Sequence, residues 1–149
     1  MRNLITMLLL VLSITSCENT DYLNLNFYIE NKTSYDLELF KDYQYSATVK
    51  KNETFLWLTF DEKYDDISID SSSINNLNSN IASVSLWKIE DNSISLAKKW
   101  RKTDKNDEPG KNIFRFSNYT MTKILQMHDY HRTTIIEEFI ITITDEDIL

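Results

Sequence analysis

One glycine, one proline, one cysteine and two histidines are all that the 149 residues contain, and each scarcity removes a class of chemistry. Phosphate-binding loops need several glycines so that backbone N–H groups can close around the anion, which excludes nucleotide-dependent enzymes of that kind. A single cysteine, Cys17, leaves no intramolecular disulfide framework. The two histidines sit three apart in His128-Asp129-Tyr130-His131; that spacing shares one ion on a helix but faces opposite sides on a strand. No glutamate stands in the register of a zinc-protease helix, and no nucleophile-elbow pattern offers a serine to either histidine. Positive charge is also in deficit, with 16 Lys and Arg against 23 Asp and Glu for a net −7. Such a field disfavours nucleic acid and steers basic partners instead. No catalytic residue, metal or cofactor is expected.

What is present begins with the first seventeen residues. Arg2 gives a positive start, Leu4 to Ile14 form an apolar run, and small Thr15 and Ser16 precede Cys17. That is the order of a secretory signal, and the run is too short to span a bilayer. The pattern resembles the lipobox of bacterial lipoproteins, which implies cleavage after residue 16 and diacylglycerol on the Cys17 thiol. Two or three acyl chains, the palmitate type among them, make such attachment effectively permanent. Cleavage removes Arg2 and no acid, taking the charge from −7 to −8. Residues 1–16 are thus read as a signal peptide, 17–21 as a lipidated tether and 22–149 as one domain, large enough for a real core.

Within that domain the period is two. Leu23, Leu25, Phe27 and Ile29 alternate with polar or amphipathic neighbours, as do Tyr35, Leu37 and Leu39, and Tyr43 to Val49 follow; Asn31–Ser34 and Lys50–Glu53 read as turns. Phe55-Leu56-Trp57-Leu58 is continuously apolar, the pattern of a strand covered on both faces. Ile67 and Ile69 suggest a short strand, Ser71–Asn80 a Ser/Asn-rich loop, residues 82–98 a hairpin, and Lys102–Gly110 a second polar loop. Thr134 to Thr144 is the clearest strand of all. Helical spacing competes only at Tyr119–His128, through Met121, Ile124, Leu125 and His128. The expected fold is all-β, a single antiparallel sandwich or partly open barrel of about seven to nine strands. With so little glycine, its turns must rely on Asn, Asp and Ser.

Few residues stand out as a site. Lys98-Lys99-Trp100-Arg101-Lys102 is the one basic cluster, with an aromatic at its centre. It suits an acidic glycan, a headgroup or an acidic protein face, and equally an edge strand guarded by lysines with Trp100 turned inward. Asp104–Gly110 alternates oxygen ligands as a calcium loop does, but its glycine falls one place late and no acid closes it. The acids at Asp61-Glu62, Asp65-Asp66, Asp70 and Asp145-Glu146-Asp147 read as a solvated surface. Trp57 and Trp87, set in apolar runs, are expected in the core.

The order of features is similar to that of small β-sandwich lipoproteins of Bacteroidetes: the lipobox, a first strand before Asn31-Lys32-Thr33, then Asn52-Glu53-Thr54, Val84-Ser85-Leu86-Trp87 with Asp91-Asn92, Asn112-Ile113-Phe114 with Tyr119, and Phe139 to Asp147. The resemblance implies a fold and an envelope location and carries no catalytic signature. The expectation is a lipid-anchored, noncatalytic binding module at the cell envelope, more in keeping with an outer than an inner membrane, meeting a protein or glycan partner at the periplasmic or external surface. Its alternatives are a glycan-binding accessory, an immunity-type protein that occludes a basic toxin, and a carboxylate-dependent hydrolase.

Overall fold

The computed structural model describes residues 21–63, 80–91, 93–103, 111–129 and 132–148. The leader and Cys17, Ile67 and Ile69, most of the Ser/Asn-rich loop, the Asp104–Gly110 loop and His131 lie outside the described residues. Among the described residues there are eight strands: β1 Tyr22–Asn31, β2 Asp36–Lys41, β3 Gln44–Val49, β4 Thr54–Lys63, β5 Ser83–Glu90, β6 Ser93–Arg101, β7 Thr120–Asp129 and β8 Arg132–Ile143. They form two four-stranded sheets, β4-β1-β8-β7 and β3-β2-β5-β6, packed as a sandwich with neither sheet closed into a barrel.

Alternation decides which faces meet. Leu23, Leu25, Phe27, Ile29 and Asn31 of β1 are buried while the residues between them are half-exposed, and Leu37, Leu39, Val84 and Leu86 answer from the second sheet. Phe27 is the hub: it stacks on Phe139 at 5.2 Å and meets Tyr119 edge-on at 5.3 Å. Truncating such a ring to alanine costs about 3–5 kcal/mol. Strand pairing is antiparallel throughout except at the centre of the first sheet, where β1 and β8 run parallel from Tyr22↔Thr134 to Asn31↔Ile143.

Two segments differ from their sequence reading, each for a physical reason. β4 is an edge strand rather than one covered on both faces. Its register shifts between Phe27 and Tyr28, opposite Leu58 and Leu56 respectively, so Trp57 is the extra residue of a bulge. The bulge lets Trp57 and Leu58 both turn toward the core while Leu56 stays 42% exposed, which breaks the period of two. Within Tyr119–His128, the residues from Thr120 onward are strand, not helix, because pairing with β8 overrides their helical spacing. Ile113 and Phe114 are buried in a turn, and Phe116–Asn118 is a single 3-10 turn.

Among the described residues, turns are built without glycine. Asp42, Tyr43, Asn52 and Asp91 all have positive φ, at 46°, 68°, 63° and 43°. Asn and Asp tolerate that region, but for a ring-bearing residue such as Tyr43 it is strained. The β2–β3 turn is clamped nonetheless: the Asp42 carboxylate accepts from the backbone N–H groups of Ala82 at 3.0 Å and Ser83 at 2.7 Å. Asp42 N–H in turn donates to the Ser83 carbonyl at 2.9 Å.

Candidate functional site

The outer face of the second sheet carries an apolar groove of about 600 Å³. Cross-strand register assembles it: Glu38 stands opposite Trp87 and Phe40 opposite Ser85, while Trp87 faces Leu96, Ile89 faces Ile94 and Ser85 faces Lys99. Directly opposed residues share a face. Phe40, Trp87, Ile94 and Leu96 therefore make the floor and walls, with Ile94 55% and Leu96 46% exposed. Trp87 thus differs from the expected core position. It lies on the outer, alternate face of β5, where Val84 and Leu86 take the inner one.

The rings are fixed edge to face. Phe40 meets Trp87 at 6.1 Å and 62° and Tyr45 at 5.8 Å and 78°, and the indole N–H of Trp87 donates to Ser85 Oγ at 3.1 Å. Phe40 is coplanar with neither neighbouring ring, so the groove is a walled slot rather than a flat stacking platform. Glu38 on β2 and Lys99 on β6 bring opposite charges to its two sides. Tyr43 covers one end, its hydroxyl accepting a hydrogen bond from Lys99 Nζ at 2.9 Å. That hydrogen bond, with the ammonium charge behind it, holds the Tyr43 phenol below its ordinary range.

The basic cluster is divided by the pleat. β6 is an edge strand, and Ala97 is bulged where its register with β5 shifts. Lys99 and Arg101 fall opposite Ser85 and Ser83, whereas Trp100 falls opposite Val84 and is 3% exposed. The Trp100 indole N–H donates to the Lys111 carbonyl at 2.6 Å. Lys98 is paired with Leu86, on the other face from Lys99, and Lys102 lies past the strand end, where its N–H donates to the Ala82 carbonyl. Only Lys99 of the five lines the groove.

Asp145 and Asp147, in the 3-10 turn after β8, serve structure. Asp145 accepts from the N–H and hydroxyl of Ser34, both at 2.8 Å, and Asp147 accepts from Lys111 Nζ at 2.9 Å and from the Thr144 N–H and hydroxyl. Burial pushes the Asp147 carboxyl up, but Lys111 and Thr144 together outweigh it and hold it low. Glu38 is the one carboxylate among the described groove residues. A second concavity, between Tyr35 and the end of the β5–β6 hairpin, is polar and open. Among the described residues no group of three His, Cys, Asp or Glu is placed to hold a metal ion, and His128 is exposed, its Nδ1 3.3 Å from Thr133 Oγ1.

The exposed hydrophobic residues of β6 are the signal for this groove: Ile94 and Leu96 stay open to solvent on a strand whose Ala97 and Trp100 fill the core. No protein-family model matches the chain, and no curated protein or solved structure matches it either.

Proposed function

We propose that this chain is a noncatalytic binding module, held to the bacterial envelope through Cys17, that captures a protein partner by an apolar side chain seated in the Phe40–Trp87 groove. The observation that carries the reading is the groove itself: an apolar slot walled by fixed rings and flanked by one acid and one base. A volume near 600 Å³ accommodates one or two side chains of a peptide, and the flanking charges orient them. A protein anchor is favoured over a sugar because the rings are edge to face, leaving no broad π-surface against which a pyranose can stack. A rigid aromatic wall around a buried anchor is also where binding energy concentrates in protein interfaces.

The test is selection of displayed peptides on the full chain, run beside a glycan panel. Selected peptides should share an aromatic or branched apolar anchor, and Trp87→Ala should weaken them about tenfold or more while leaving the melting temperature nearly unchanged. Trp87-dependent glycan binding without peptide binding would overturn the reading. The anchor has its own test: mass spectrometry of native material should find Cys17 amino-terminal and acylated, and an intact leader or a free thiol would refute it.

A further inference from the structure

β7 is the outermost strand of the first sheet, and every one of its ten residues is exposed. Met121, Ile124, Leu125 and Met127 are 40–58% exposed. Lys123, Leu125 and Met127 oppose Glu138, Ile136 and Thr134 on one face, and Ile124, Gln126 and His128 oppose Glu137, Ile135 and Thr133 on the other. Sheet edges are normally blunted by proline, by a bulge or by charge in mid-strand. Here the bulge lies at the beginning of the strand, between Met121 and Lys123, and the two charges, Lys123 and Asp129, bracket the regularly paired Ile124-Leu125-Gln126-Met127-His128. We propose that this edge pairs antiparallel with β7 of a second copy of the chain, joining the two first sheets into one of eight strands about a two-fold axis at Gln126.

The sequence of the strand selects both the occupant and the register. The outward N–H and C=O groups of an edge recur at every second residue, so antiparallel self-pairing matches only residues of like parity. Among those registers, the one centred on Gln126 is the one that sets Lys123 against Asp129, and symmetry makes that pair twice. The same register sets Leu125 against Met127 twice on one face and Ile124 against His128 twice on the other. Shifting the axis to Leu125 would put both lysines against methionine and lose both ion pairs. The tethers are compatible with it: Tyr22 is level with Thr134, and through it with Met127. Both β1 strands therefore begin within one residue of the axis, so two copies anchored as proposed above share one membrane surface.

The test uses the full chain in native membranes under mild oxidation, read on a non-reducing gel with the parent chain as the control for Cys17. Residue 126 meets its own copy at the axis, with a Cα separation of about 4.5–5.5 Å that a disulfide spans. Gln126→Cys should therefore give a homodimer band. Ile124→Cys, offset from its own copy, should not. Adding Lys123→Asp to Gln126→Cys should cut the yield about tenfold by placing like charges opposite each other twice, and adding Asp129→Lys as well should restore it. Equal yields from the 124 and 126 variants, no band above the parent's, cross-links only to other proteins, or indifference to the charge exchange would each overturn the proposal. None of these readouts depends on what the Trp87 groove binds.

Discussion

Lys99 and Tyr43 are joined twice over: the ammonium donates to the phenol oxygen at 2.9 Å and lies 4.3 Å from the centroid of the same ring. Such a pairing holds a strained, 79%-exposed tyrosine against the groove mouth instead of releasing it to solvent. Tyr43 should accordingly ionise earlier than Tyr28 and Tyr119, whose phenols burial pushes up. In an ultraviolet titration, Tyr43→Phe should remove a phenolate step lying below the ordinary tyrosine range, and Lys99→Met should move that step upward without removing it.

Of the three tryptophans, Trp57 and Trp100 are 2% and 3% exposed, while Trp87 is half-buried on the outer face. Aqueous quenchers should therefore reach one emitter. Trp87→Phe should abolish most of the iodide- or acrylamide-accessible fluorescence, and a ligand that fills the groove should protect the same fraction in the parent chain.

Asn31 is fully buried and makes four bonds: its amide donates to the carbonyls of Tyr35 at 2.8 Å and Val49 at 2.9 Å, and its oxygen accepts from the N–H and hydroxyl of Thr33. It ties the β1 end to the next turn and to β3. Asn31→Ala should cost about 3 kcal/mol in chemical denaturation, because it leaves the buried Val49 carbonyl and the Thr33 donors without these partners. Asn31→Asp should fail similarly, since a carboxylate repels the two carbonyls.

Burial raises the Glu137 carboxyl above its ordinary 4.5. A carboxyl raised on folding favours the native state below the unfolded value, and that contribution is lost as pH climbs through the folded one. Ionised Glu137 therefore works against the fold at neutral pH. Glu137→Gln should melt higher than the parent at pH 7, with the difference closing as the pH falls toward 4.

The sandwich was legible because burial follows the period of two: Leu23 to Ile29 and Phe139 to Ile143 face the core at every second position. Two features defeat a one-dimensional reading. At Trp57 a bulge adds a residue, which in sequence is indistinguishable from a strand buried on both sides. At Trp87 an apolar neighbourhood suggested the core, but alternation with Val84 and Leu86 sends the indole outward. The groove draws on β2, the β2–β3 turn, β5 and β6, and only cross-strand register brings Phe40 to Trp87. The lysine cluster was visible as charge, whereas the pleat that separates Lys99 from Trp100 appears once the strand is placed.

The parallel union of β1 with β8 has a temporal consequence. The partner that sits between β1 and β7 is the last of the described strands in chain order, so the first sheet has no centre until β8 has been made. Nascent and truncated chains lacking β8 are held from their native state by topology alone, and closure of so long a loop makes the final step slow. A polypeptide of this design stays threadable, and open to chaperones, until that strand arrives.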